Sequence, residues 1–331
     1  MMRNLVCIFM IWCSGLQVAN SQVDPHFSQY YAYPLYLNPA LTAISDVDYR
    51  ATAIHRNQWN TVGKPFLTTG VAADISTNRS LNFGLNFLNQ SAGNGGYNYI
   101  NSYISVAYTG LELDDYGFKR IVFGMQGGIV SRRFDLSKLE FGDQWKPYIG
   151  FDPAMATSEI FNRTSSTVFD AGAGIAYFDG DPEKKVNIFA GYSANHLTQP
   201  EDPFLPGQKY KLPIRSTIHA GVRVEVNESF AIVPNAIFMA QGNAHETMFG
   251  AYAEFSARED VDVMAGVNYR LNDAVSPFFG LTYNNMVFGF SYDANASSLG
   301  KLTTKPNSFE LSVTFTGKSE RSTGYFRCPR L

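Results

Sequence analysis

The sequence predicts an all-β protein, a transmembrane antiparallel β-barrel of the outer-membrane type with about 14 strands. Three observations carry that expectation. Apolar and polar residues alternate in one segment after another. The links between those segments alternate between short and long. Beyond its first residues the chain has no long uncharged apolar run of the kind a membrane helix needs. Its mean hydropathy is only -0.14, which fits a barrel because only every second residue of a spanning strand faces lipid.

The alternation can be read residue by residue. Ile218, Ala220, Val222, Val224 and Val226 share one face of a strand whose other face holds His219, Gly221, Arg223 and Glu225. Val261, Val263, Ala265, Val267 and Tyr269 alternate with Asp262, Met264, Gly266 and Asn268, and Phe309, Leu311, Val313 and Phe315 with Glu310, Ser312 and Thr314. Phe169, Ala171, Ala173, Ile175 and Tyr177 alternate with Asp170, Gly172, Gly174 and Ala176. The apolar set is expected to face lipid and the polar set a lumen. A half-buried sheet of a soluble protein produces the same pattern in a single strand, so the repetition carries the argument.

Strands are expected near 46–56, 66–76, 80–89, 98–111, 118–133, 166–178, 185–196, 214–226, 230–240, 246–256, 260–270, 275–284, 286–293 and 307–316. The links at 76–78, 113–117, 179–184, 227–229, 257–259 and 284–285 are short, whereas those at 57–65, 89–97, 134–165, 197–213, 241–245 and 294–306 tend to be longer. Outer-membrane barrels have short periplasmic turns and longer outer loops. An aromatic content of 15% and 28 glycines suit strands, tight turns and interfacial rings. The 331 residues show no compositional break, so one large β unit accounts for most of the length. A net charge of -3 with no basic cluster gives no reason to expect a nucleic-acid partner.

The first 21 residues read as a signal peptide: Arg3 supplies the positive charge, residues 5–12 the short apolar core, and Ala19-Asn-Ser21 the small-residue cleavage pattern. A lipoprotein anchor at Cys7 or Cys13 is disfavoured, since neither is preceded by the Leu-small-small pattern. Cys328 is then the only cysteine of the exported chain, which excludes an internal disulfide. The expected organisation is a signal peptide at 1–21, an aromatic and proline-rich segment at 22–45, the barrel at 46–316 and a tail at 317–331.

The stretch Asp24-Pro-His-Phe-Ser-Gln-Tyr-Tyr-Ala-Tyr-Pro-Leu-Tyr-Leu-Asn-Pro-Ala40 has neither helical nor period-2 patterning and is expected to form no regular element. A barrel of this size is too wide to be filled by its own inward side chains. The stretch can fill it, with Phe27, Tyr30, Tyr31, Tyr33 and Tyr36 packed on the wall and Asn38-Pro39 turning the chain toward the first strand. A solvated leader outside the barrel would be poorer in aromatics. Phe27, Tyr30, Tyr33 and Asn38 are therefore the expected docking residues, and loss of residues 22–40 is expected to weaken the barrel or open a pore.

No catalytic or metal site emerges from the sequence, and no cofactor is expected. Gly191-Tyr-Ser-Ala-Asn195, with His196 beside it, resembles a nucleophile elbow but lacks the final glycine and the strand-to-helix context. His26, His55, His196, His219 and His245 are scattered without ligand spacing. The small residues of Ala171-Gly-Ala-Gly174 are better explained by strand curvature or by room for an enclosed segment than by phosphate binding. Inward charges at Asp170, Arg223, Glu225, Asp262 and Glu310 either line a channel or pair with one another or with an enclosed segment. The long link at 134–165, with Trp145 and Asp152-Pro153, is a candidate for folding back over the outer mouth.

The stretch from Asp24 to Ala40 resembles the N-terminal signature of the PorP/SprF family of type IX secretion outer-membrane proteins from Bacteroidetes. The resemblance continues through Arg56-Asn-Gln-Trp59, Gly191-Tyr-Ser-Ala-Asn-His-Leu-Thr-Gln-Pro200, Tyr269-Arg270 with Asp273-Ala274, Ser291-Tyr-Asp293 with Ser298-Leu299, and Cys328-Pro-Arg330. The final Leu331 departs from it, the family more often ending in an aromatic. The resemblance implies an outer-membrane barrel serving protein secretion and gliding. In a SprF-like role it would bind the C-terminal domain of a secreted adhesin and support its export and cell-surface attachment. In a PorP-like role it would contact periplasmic secretion components, and a diffusion porin is the third alternative. Trp59, Trp145 and Phe204 on outer loops are the aromatic anchors such a partner would use, the competing role for each ring being placement at the membrane interface.

Overall fold

Strand alternation and link length are both satisfied by a closed barrel. The computed structural model describes residues 24–44, 47–59, 65–77, 80–92, 96–160, 163–202, 204, 210–258, 260–297 and 307–317. The expected signal peptide, Ser298-Leu299 and residues 318–331 with Cys328 lie outside these, and Gly317, expected to open the tail, ends the last strand.

The strands are β1 (Tyr49–Gln58), β2 (Phe66–Ser76), β3 (Leu81–Ala92), β4 (Tyr97–Glu112), β5 (Lys119–Phe134), β6 (Trp145–Lys146), β7 (Gly150–Phe151), β8 (Ser165–Asp179) and β9 (Val186–Asn195). They continue with β10 (Glu201–Asp202), β11 (Tyr210–Lys211), β12 (Arg215–Asn227), β13 (Phe230–Gln241), β14 (Ala244–Arg258), β15 (Val261–Arg270), β16 (Ala274–Tyr283), β17 (Met286–Asn295) and β18 (Asn307–Gly317). Fourteen of them form the barrel, each antiparallel to its sequence neighbour, and β1 closes on β18 from Tyr49↔Gly317 to Gln58↔Ser308. The short pairs β6–β7 and β10–β11 make two separate ribbons.

The fourteen barrel strands fall at the expected places, with ends displaced by a few residues; β1 starts at Tyr49 rather than 46 and runs on to Gln58. Alternation decides which face is which. Ile218, Phe169 and Leu311 point outward, while their neighbours His219, Asp170 and Glu310 are buried in the lumen. The turns at the periplasmic end stay short, Asn284-Asn285 using an Asn in the left-handed region (φ 51°). Register shifts at Tyr108/Leu111, Glu225/Asn227 and Ser256/Arg258 all lie at this rim, where bulges end ladders without disturbing the wall. At the outer end the length is uneven. The links at 135–164 and 196–214 are long, but those at 242–243 and 271–273 are tight turns, contrary to the expected lengthening at 241–245. Here the strands pair to their tips, leaving no residues for a loop.

The N-terminal segment fills the lumen. Every residue from Asp24 to Ile44 is buried except Tyr31 and Ala32, which are half-buried. The expectation of no regular element is corrected: Tyr30–Ala32 and Pro39–Leu41 are 3-10 turns and Pro34–Leu37 is a single helical turn. Pro34 and Pro39 stand at first-turn positions, where a missing N–H costs nothing. Asn38 starts the last turn by accepting a hydrogen bond from the Ala40 N–H through its side chain. For a segment buried in the lumen, local turns satisfy backbone groups that an extended conformation would leave orphaned.

The wall makes room for this plug with glycine. A Cβ on Gly124 of β5 would overlap the backbone of Pro39 and Ala40, and one on Gly174 of β8 would overlap the Asn38 side chain. The small residues at 171–174 thus leave space for an enclosed segment at Gly174. Gly124→Ala should lower barrel stability by roughly 1–3 kcal/mol or expel the plug. Gly127→Ala, whose Cβ would sit 3.6 Å from the Phe169 ring, should change it by less than about 0.5 kcal/mol. Thermal unfolding and protease susceptibility of residues 24–44 distinguish the two; equal behaviour would contradict the close approach at Gly124.

Candidate functional site: the plugged lumen

Three groups of side chains hold the plug, and each draws on strands far apart in sequence. At the first, the carboxylate of Glu310 on β18 accepts from the backbone N–H groups of Ser28 (2.7 Å) and Gln29 (2.8 Å). The same carboxylate pairs with Arg56 of β1 at 2.5 Å, and Arg56 reaches Asp293 of β17 at 3.0 Å. Arg270 of β15 adds a second contact to Asp293 at 3.0 Å and one to Asp273. The Ser28 hydroxyl sits at the centre, donating to Asp293 (2.7 Å) and accepting from Arg56 (3.2 Å) and Arg270 (3.0 Å), which uses its one proton and both lone pairs. Asn268 donates to the Ser28 carbonyl and Ser276 to Asp293. Arg56 and Glu310 are essentially inaccessible, and removing one member of such a pair costs roughly 3–5 kcal/mol.

The second group lies at the outer end. His196, one residue past β9 with φ 60°, places Nδ1 2.6 Å from Asp170 and Nε2 2.6 Å from Asp24. An imidazole that bonds a carboxylate through each nitrogen carries both protons and a positive charge. Burial opposes that charge, but the Asp24 carboxylate and the hydrogen bonds to Asp170 and Asp24 outweigh it and raise His196 to about 9. Burial would raise the Asp24 carboxyl, but His196 and Arg215 hold it well below the carboxylate range. Arg215 of β12 lies 3.3 Å from Asp24, donates to the Tyr36 carbonyl and covers the Tyr36 ring at 4.3 Å. Tyr103 and Thr198 complete the shell of Asp170. The charges of Arg215, His196, Asp24 and Asp170 cancel only with Asp24 in place.

The third group is at the periplasmic end. Asp74 of β2 accepts from the Ala43 N–H (2.9 Å) and pairs with Arg50, which also donates to the Leu41 carbonyl. Thr42 donates to Ser105 at 2.8 Å. The plug therefore descends the lumen from Asp24 at the outer end to Ala43 at the periplasmic end, and β1 carries the chain back up.

The expected docking residues lie between these ends. Phe27 packs edge-on against Tyr33 and Tyr36, at 5.7 and 6.2 Å between centroids. The hydroxyl of Tyr30 donates to Asn235 (2.8 Å) and that of Tyr33 to the Phe87 carbonyl (2.8 Å), so both tyrosines spend their one polar atom on the wall. Asn38 donates to the carbonyls of Ile175 (3.1 Å) and Tyr192 (3.3 Å) and meets His219 at 3.2 Å. Ser193, the serine of the elbow-like motif, lies in β9 and donates to the Leu37 carbonyl. Of the other charges singled out from sequence, Arg223 contacts Glu225 and Glu254, both at 3.1 Å, and Asp262 accepts from the Ser256 hydroxyl at 2.8 Å.

The three aromatic anchors expected on outer loops part company. Trp59 (38% exposed) caps the outer end of β1, edge-on to Phe66. Trp145 (55% exposed) stands on the β6–β7 ribbon beside Phe151. Phe204 is corrected: it is 6% exposed, held edge-on against Phe134 at 4.8 Å with Arg132 over its ring, and cannot present its ring to a partner from there. Asp24, Ser28, Arg56, Arg215, Arg270 and Asp293 were not singled out from sequence as site residues. For Arg56, Arg215, Arg270 and Asp293 the available signal was an inward position for a charged residue on a predicted strand; Asp24 and Ser28, outside the predicted strands, carried no such signal.

This geometry defines a class: an outer-membrane β-barrel whose lumen is occupied by its own N-terminal segment. The model of the family described as "Type IX secretion system membrane protein PorP/SprF" matches residues 19–315, and the chain belongs to that family. Solved structures with a similar fold include the Ralstonia pickettii toluene transporter TbuX, at 10% identity and TM-score 0.51 over 86% of this chain and 92% of that one. The Pseudomonas putida toluene transporter TodX gives 9% and 0.51 over 89% and 95%. At such identity the likeness is one of fold alone. No functionally curated protein sequence matches the chain.

The clasp at His196 has a defined pH response. A histidine raised in the folded state contributes fully below its ordinary value of 6.5, and the contribution is lost as pH rises through about 9. Asp24, lowered in the folded state, contributes above its ordinary 3.8 and is lost only as pH falls below that. Barrel stability in detergent should therefore drop between pH 7 and 10, and His196→Gln should be less stable at pH 7 and lack that drop. Superimposable pH profiles for the two proteins would contradict the charged clasp.

Proposed function

We propose that this type IX secretion barrel binds the C-terminal domain of a secreted adhesin at its outer end and supports its export and surface attachment. The chain reaches the outer membrane through the cleaved signal peptide read at 1–21. The observation that supports this reading most is the outer-end ribbon β6–β7, which holds Trp145, Tyr148 and Ile149 exposed on a barrel whose lumen is already filled. Exposed aromatics on an ordered ribbon are interface residues in search of a surface. A filled lumen supports recognition over free diffusion, and in this reading no bond is made or broken.

A second reading rests on the other rim. In the turn at 113–118 Leu113 and Tyr116 are exposed, with Tyr116 stacked on Phe118 at 5.9 Å, a surface suited to periplasmic components of the secretion and gliding machinery.

Affinity purification from native, secreting outer membranes separates the readings. The adhesin-carrier reading expects a large secreted protein bound through its C-terminal domain, with recovery reduced about tenfold or more by Trp145→Ala combined with Tyr148→Ala. Periplasmic components alone, lost on Tyr116→Ala, would establish the second reading. Neither partner, together with ion conductance of the intact barrel in planar bilayers, would return it to the porins.

A further inference from the structure

The lipid-facing wall holds a feature that neither the plug nor the outer loops explain. Where β1 and β18 close the barrel, an apolar groove of about 530 Å³ opens on the outside between β16 and β2, within the size range of small-molecule clefts. Its origin is a mismatch of side-chain size along two cross-strand rows. In one row Ala53 and Val313 lie beside Phe288 and Leu281. In the next row toward the outer surface, His55 pairs with Leu311, which pairs with Phe290. The small Ala53 leaves a depression that the phenylalanines border.

The outer row ends in a polar pair on β1 and β2. His55 Nδ1 is 2.9 Å from the Thr69 hydroxyl on the adjoining strand, which leaves Nε2 as the ring's remaining hydrogen-bonding position. Both residues are on the outward face, and His55 stands three positions below the outer end of β1, roughly 10 Å along the strand at 3.3 Å per residue. An ionisable residue on a lipid-facing wall is costly and calls for a partner.

We infer that the groove binds one acyl lipid of the outer leaflet, its chain along Ala53 and Phe288 and its ester or amide carbonyl at His55 and Thr69. The direction of polarity selects this occupant. Hydrocarbon lies toward the middle of the wall and the hydrogen-bonding pair toward the outer surface, the order in which an outer-leaflet lipid presents its chain and its linkage. The apolar lining would accept a hydrophobic segment of another membrane protein, but such a segment satisfies its own backbone and offers nothing to His55.

The full-length protein, reconstituted with phosphatidylethanolamine and phosphatidylglycerol and extracted in mild detergent, should retain one lipid in native mass spectrometry. Ala53→Phe, which fills the depression, should reduce retention about tenfold, and His55→Leu several-fold. Heat-modifiable gel mobility checks that each variant is a folded barrel, and Val313→Phe fills the same groove from the other strand if Ala53→Phe does not fold. Equal retention by wild type and the filled variants would overturn the assignment. So would a photocrosslinker at Leu311 in native membranes that labels a protein instead of lipid.

Discussion

The carboxylate of Glu310 is buried on the inner wall of a barrel too wide to fill itself, and it is held by Arg56 on one side and by the backbone N–H groups of Ser28 and Gln29 on the other. A charge in that position is tolerated only when paired and fully hydrogen-bonded. The strands supply the countercharge and the plug supplies the remaining donors. Barrel and plug are thus one structure: without the plug, Glu310, Asp24's partners His196 and Arg215, and the Tyr192 and Ile175 carbonyls bonded by Asn38 would lose partners together. The glycines at 124 and 174 make the dependence steric as well as polar.

This arrangement explains why the blocks that resemble the family are scattered along the chain. Arg56, Ser193, His196, Arg270, Ser291 and Asp293 come from β1, β9, β15 and β17 or their ends, and all are buried in the lumen and touch the plug. Secretion-family membership and the plugged lumen therefore meet in the same residues. The outer ribbon, by contrast, belongs to none of those blocks.

Much of the fold was legible because a barrel writes itself locally. Period-2 alternation fixes which residues face lipid, and turn residues fix where strands end, so Ile218 and Glu310 could be assigned faces from their neighbours alone. The packing of Phe27, Tyr30 and Tyr33 against the lumen wall followed from composition, since a cluster of rings needs a surface to cover. What could not be read was pairing across the lumen. Arg56 and Glu310 are 254 positions apart, and their meeting depends on the closing register of β1 with β18, which no local pattern encodes. Phe204 was misread for a related reason: in a proline-rich link it looks like an exposed anchor, but Phe134 and Arg132 form a seat for it at the end of β5. The short helical turns of the plug were hidden because wall contacts, not amphipathic periodicity, stabilise them.

The most direct test of the account is a disulfide between plug and wall. Thr42 Oγ1 and Ser105 Oγ lie 2.8 Å apart, so Thr42→Cys combined with Ser105→Cys places two thiols where a bond of ~2.05 Å can close with little movement. In native outer membranes under mild oxidation, the account predicts near-complete cross-linking of this pair, read by peptide mass spectrometry. A folded double variant whose cysteines both remain free would show that residues 24–44 do not occupy the lumen, and would contradict it.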